Sequence, residues 1–247
     1  MRSWWLVSCA LISACAPATR VPVMQEAGQT LAEARAQFRH GDFAAALVGF
    51  QRAQFDLNPG QPEMVEARFF LAECAFQTGD LAGAALGFQK VAEEFPNSEY
   101  ASLALLRNGD AHLRLWRRPE VDASPGQAAL AAYQELVGRY PGTDAAARAQ
   151  LHVRQLNAQF AERSYKTGMF YFRRRAYDSA IIYFKDIIAT YADTRRVPDA
   201  LLRLVDSYRA IGYRDELSET CAHLRRYYPH AEGLDRRCPA EASAGTP

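Results

Sequence analysis

Gly41-Asp42-Phe43-Ala44-Ala45-Ala46-Leu47-Val48-Gly49-Phe50 and Gly79-Asp80-Leu81-Ala82-Gly83-Ala84-Ala85-Leu86-Gly87-Phe88 align without a gap, 38 residues apart. The same frame returns at Arg175-Ala176-Tyr177-Asp178-Ser179-Ala180-Ile181-Ile182-Tyr183-Phe184, and weaker copies cover Gln127 to Tyr133 and Gly212 to Cys221. Each copy closes on an aromatic residue, usually with proline next: Phe95-Pro96, Tyr140-Pro141, Tyr191-Ala192 and Tyr228-Pro229. The first copy closes on Leu57-Asn58-Pro59.

The residue types explain the pattern. Glycine ends a first helix (A) by taking a left-handed conformation, and Asp or an aromatic opens the second (B). Ala46, Ala84, Ala129 and Ala180 are small where B crosses A. Phe50, Phe88, Tyr133 and Phe184 lie one turn further along the same face and fill the space between repeats. Proline then stops B. Periods in the thirties with this small/aromatic pattern mark tetratricopeptide (TPR) repeats of about 34 residues. The expected fold is all-α, a right-handed TPR solenoid of about five helix-turn-helix repeats over 31–59, 62–96, 99–141, 143–192 and 197–229. Ten helices are predicted at 31–40, 43–57, 62–78, 81–95, 99–115, 125–139, 143–174, 177–191, 197–210 and 213–228. No alternating strand pattern competes. The insertion 117–126 is expected to protrude as a loop, and 143–174 is an oversized helix A that a break could interrupt.

Before the repeats, Met1-Arg2 is followed by an apolar run through Ile12, too short to cross a bilayer and suited to a secretory signal. Leu11-Ile12-Ser13-Ala14-Cys15 resembles a bacterial lipobox, which implies a signal peptide over 1–14 and a lipidated Cys15. Several acyl chains there would anchor the chain, each buried CH₂ contributing roughly 0.8 kcal/mol. Residues 15–30 read as a flexible tether and 231–247 as a C-terminal tail. Ala16, not Asp, follows the cysteine, which resembles outer-membrane sorting.

Of 247 residues, 29 are Lys or Arg and 28 Asp or Glu, a net charge of +1 that disfavours a nucleic-acid partner. No phosphate-binding glycine loop, nucleophile elbow or His-Glu-x-x-His motif is present, and no two of the five histidines stand four apart. Neither an enzyme nor a cofactor is expected. Cys74 reads as a buried thiol. Cys221 occupies the interior frame position, and 229–238 is long enough to fold back, so a Cys221–Cys238 disulfide is expected, with a buried Cys221 thiol and a free tail as the alternative. Arg173-Arg174-Arg175 reads either as an acid-seeking partner contact or as a solvated helix end favoured by the helix dipole. Charge is uneven, with 13 basic against 16 acidic residues over 15–160 and 15 against 11 over 161–237.

The lipobox, five repeats and Tyr165-Lys166-Thr167-Gly168-Met169-Phe170-Tyr171-Phe172-Arg173-Arg174-Arg175-Ala176-Tyr177, followed by Tyr191-Ala192-Asp193-Thr194, resemble the BamD (YfiO) family of outer-membrane assembly lipoproteins, with Ala192 where the family pattern has proline. The resemblance covers roughly 30–230. It implies a non-catalytic scaffold, lipid-anchored in the outer membrane and facing the periplasm. The implied partners are the periplasmic domains of the barrel-forming assembly subunit and unfolded β-barrel outer-membrane proteins. A solenoid's concave face suits extended peptide. A second reading is another periplasmic TPR scaffold, such as a Tol–Pal envelope coordinator. That family usually has an N-terminal coiled coil and lacks a lipobox.

Overall fold

The structure, a computed structural model, describes residues 23–119 and 121–238. Eleven α-helices follow one another there: α1 (Val23–Arg39), α2 (Phe43–Asp56), α3 (Pro62–Thr78), α4 (Leu81–Glu94), α5 (Ala101–Leu115), α6 (Ser124–Arg139), α7 (Asp144–Arg173), α8 (Tyr177–Thr190), α9 (Arg196–Ile211), α10 (Arg214–Tyr227) and α11 (Leu234–Arg237). From α1 to α10 each helix packs on the next, and the A helices α5, α7 and α9 also touch in turn. This is the TPR solenoid, with odd-numbered helices as A and even-numbered ones as B through α10.

The repeated residues act as their chemistry dictates. Gly79 takes φ 93° at the end of α3, and the Asp80 carboxylate accepts from the Gly83 N–H at 3.0 Å to cap α4. Asp42 caps α2 in the same way, accepting from Ala45 N–H at 3.1 Å. Ala46, Ala84, Ala129 and Ala180 and the aromatics Phe50, Phe88, Tyr133 and Phe184 are all fully buried. Helix B stops at Tyr191 as it does at Phe95, Tyr140 and Tyr228, each bonding its N–H to the carbonyl four residues back, so proline is not needed for the stop.

Four expectations need correction. α1 begins at Val23, eight residues inside the expected tether, because no proline interrupts 23–39 and buried Leu31 and Ala34 hold its later turns. The insertion does not protrude freely. Trp116 donates its indole N–H to the Asp122 carbonyl at 2.8 Å, Arg163 of α7 donates to the Pro119 carbonyl at 3.1 Å, and Ser124, Pro125 and Gly126 already belong to α6. Proline is compatible with that first turn because its missing N–H has no helical partner there. α7 runs unbroken for 30 residues, about 45 Å at 1.5 Å per residue. An eleventh helix also lies within the expected tail: α11 rests on α9, with Leu234 and Cys238 buried. Arg237 pairs with Asp206 at 2.9 Å, and Arg225 donates to the Cys238 carbonyl at 2.7 Å, so 231–238 closes the end of the last repeat.

Candidate partner-binding surface

The A helices are laced by ion pairs. Arg35 of α1 donates to Glu66 of α3 at 2.6 Å. Arg107 of α5 donates through Nε to Glu73 of α3 at 2.8 Å and through Nη1 to Asp110 at 3.1 Å. Asp110 also accepts from the Tyr133 hydroxyl at 2.8 Å. Burial foremost, with the neighbouring Asp110 charge, raises the Tyr133 phenol above its ordinary range. Arg196 of α9 repeats the motif, donating to Glu162 of α7 at 2.6 Å and to Asp199 at 2.7 Å. Glu73/Arg107/Asp110 and Glu162/Arg196/Asp199 share one spacing, 34 and then 3 residues, which is one repeat period plus one helical turn. That signal was present in the sequence and was missed.

α7 joins two apolar clusters. Leu156 and Phe160 pack with repeats two and three, whereas Ala161 packs with repeats four and five. Tyr191, at the end of α8, packs against both clusters. Trp116 stacks on Phe160 at 5.3 Å, and Phe160 on Tyr191 at 6.3 Å, so the insertion, the long helix and the fourth repeat meet through aromatic rings. Two grooves flank this junction. One, of about 660 Å³, is lined by Trp116, Phe160, Arg163 and Lys166 among others. The other, of about 540 Å³, includes Arg154, Glu162, Arg195 and Arg196. Their linings mix apolar surface with charge.

The tyrosine-rich stretch folds into the C-terminal half of α7, the following turn and α8. Gly168 gives the Phe184 ring its seat: a Cβ at 168 would lie 2.6 Å from Phe184 Cε1. Tyr165 packs on Phe184, Tyr171 stacks on Tyr183 at 5.5 Å, and Phe172 meets Tyr177 edge-on. The turn itself carries Arg173, Arg174 and Arg175, all exposed. The Arg174 guanidinium lies 3.6 Å from the Phe170 ring centroid, and Arg175 has φ 61°. Its N–H donates to the Phe172 carbonyl at 2.9 Å, and that of Ala176 to Tyr171 at 3.1 Å, closing the helix end.

Cys221 and Cys238 are joined in a disulfide with Cα atoms 5.5 Å apart. His223 packs on Tyr227. Cys74 is a free, buried thiol, pushed up to about 12 by burial first and the Glu73 charge second. Cys15 lies outside the described residues. Among the described residues, no helix is long and apolar enough to cross a membrane.

The sequence model of the YfiO family, described as "Outer membrane lipoprotein", matches residues 24–224. The chain belongs to the YfiO family. Three proteins named outer membrane protein assembly factor BamD are similar to this YfiO-family chain. The Caulobacter vibrioides protein is 34% identical over 108 residues, 44% of this chain and 35% of that protein. The Rickettsia prowazekii protein is 28% identical over 100 residues, 40% of each chain. The Vibrio cholerae protein is 32% identical over 103 residues, 42% of this chain and 43% of that one. The chain spans about two fifths of the length of these curated relatives. Among solved structures it is similar to the P58(IPK) TPR domain, with TM-score 0.45 and 14% identity over 87% of this chain and 54% of that one. A TPR protein of Thermus thermophilus is similar at TM-score 0.41 and 21% identity, over 86% of this chain and 96% of that one.

Proposed function

We propose that this YfiO-family chain is a non-catalytic scaffold of outer-membrane β-barrel assembly, anchored in the outer membrane through lipid on Cys15 and facing the periplasm. It holds the periplasmic domains of the barrel-forming subunit and helps receive unfolded β-barrel proteins. The observation that carries this reading is the family match across 24–224, which runs from the first repeat into the last helix of the fifth. The assembly role printed for the three relatives supports it, as does a surface of mixed grooves and exposed cations around α7.

The test is affinity purification of the full chain from detergent-solubilised outer membranes, with the intact mass of the purified protein read in parallel. The barrel-forming subunit is expected in the eluate, with acylation at Cys15 in the mass. Binding is expected to need repeats four and five, so a chain truncated after Pro141 should lose it. Recovery of Tol–Pal proteins without the assembly subunit would favour the other periplasmic scaffold and refute this reading.

A further inference from the structure

The turn between α7 and α8 departs from the other turns of its kind. At the A-to-B turns of repeats one, two and five the left-handed residue is Gly41, Gly79 or Gly212, with φ between 80° and 93°. In the fourth repeat the residue is Arg175, the one non-glycine with positive φ among the described residues. The next position has also changed. Asp42 and Asp80 cap α2 and α4 through their side chains, while Ala176 offers α8 no such cap, as Tyr213 offers none to α10. Both substitutions weaken the turn locally, since L side chains resist the left-handed region and an Asp cap satisfies an otherwise unpaired N–H. The helix dipole gives a reason for Arg173, which ends α7, but none for an arginine where glycine fits better. Persisting strain of this kind is a pointer to function.

The charges are also unspent. Arg35, Arg107 and Arg196 are each paired with carboxylates, but Arg173, Arg174 and Arg175 form no ion pair among the described residues. Arg174 is instead laid on Phe170, itself 44% exposed, and this stacking fixes the guanidinium and leaves its N–H edge open. A fixed planar fork matches a carboxylate in two-point geometry. We infer that Arg173, Arg174 and Arg175 form a docking turn for an acidic segment of a partner protein. This rests on the scaffold reading above and names the chemistry of its contact.

A fluid anionic lipid surface has no need of a strained, stacked geometry. The turn also lies on the edge where A helices end, whereas α1 starts at the edge where they begin. The protein partner is therefore the one the observations favour.

The experiment compares the full chain, the Arg173→Glu/Arg174→Glu double variant and Arg175→Gly, each used to capture the barrel-forming subunit from solubilised outer membranes at rising NaCl. Vesicles of phosphatidylethanolamine and phosphatidylglycerol serve as the lipid probe. Wild-type capture should fall with salt, and the double variant should lose at least about tenfold at low salt. Arg175→Gly should melt no lower than wild type yet capture several-fold less, a split that a purely structural role would not produce. Capture by both variants equal to wild type would refute the docking turn alone and leave the scaffold reading standing. Loss of vesicle binding with subunit capture intact would refute it in favour of lipid. Failure of the wild type to capture the subunit would overturn the scaffold reading and this contact with it.

Discussion

Gly168 and Phe184 make a sign-reversal experiment possible. In the interior of a helix such as α7, replacing glycine with alanine stabilises by about 1 kcal/mol through backbone entropy. At 168 the new Cβ would stand 2.6 Å from Phe184 Cε1 and 3.0 Å from Cδ1 and Cζ, well inside van der Waals contact. Phe184 is fully buried, with Tyr165 against it, so the ring has no free space to move into. Overpacking of this kind costs about 1–3 kcal/mol. Gly168→Ala is therefore expected to destabilise by about 1 kcal/mol net, lowering the melting temperature by about 2–4 °C. Phe184→Ala alone should cost about 3–5 kcal/mol. With the ring gone, Gly168→Ala should turn stabilising by about 1 kcal/mol, a coupling of about 2 kcal/mol between the sites. Urea unfolding of the four proteins by far-UV circular dichroism measures this. Amide exchange over 161–190 assigns the change to this repeat, since a repeat array can open in parts. If Gly168→Ala stabilises the wild type as much as it stabilises the Phe184→Ala protein, the ring does not rest on the glycine and the packing argument fails.

Two further outcomes follow from the ends and the middle of the solenoid. Reduction of Cys221–Cys238, which closes a sequence separation of 17, should cost about 3 kcal/mol and raise amide exchange over 234–238, and unchanged exchange there would show that the bond does not hold the cap. Burial depresses the imidazole of His112 below its ordinary 6.5, so the unfolded chain takes up that proton more readily. Its contribution is complete above about pH 6.5 and lost as pH falls through the folded value. Stability should drop less between pH 7 and pH 5 in His112→Gln than in wild type, and equal drops would remove His112 from the account.

The elements most legible in the sequence were those coded by short spacing. Gly79-Asp80 announces a turn and a cap together, and helix ends from α2 to α10 fall within two residues of where such signals put them. What escaped was coded by pairs far apart. The Arg107–Glu73 and Arg196–Glu162 bridges join residues 34 apart, and only the three-dimensional stacking of A on A makes that spacing meaningful. Trp116 gave no local sign that it would pin the insertion to Phe160, because the two are 44 residues apart and meet only once α7 lies alongside. Arg175 stood in plain alignment with Gly41 and Gly79, but its left-handed backbone follows only if the turn geometry is held while the residue changes.

Because α7 passes from one apolar cluster to the other without a loop, the angular phase between the two halves is set by counting residues. Each residue inserted between Leu156 and Ala161 would advance everything beyond it by about 100° around the helix axis and about 1.5 Å along it. One added residue would swing the Glu162–Arg196 side of the solenoid away from the Trp116 side. A seven-residue insertion would return it to within about 20° of its starting bearing, displaced by about 10 Å. The long helix therefore permits length changes only in near-whole turns. A partner that touches both halves at once reads that register as a fixed distance and bearing.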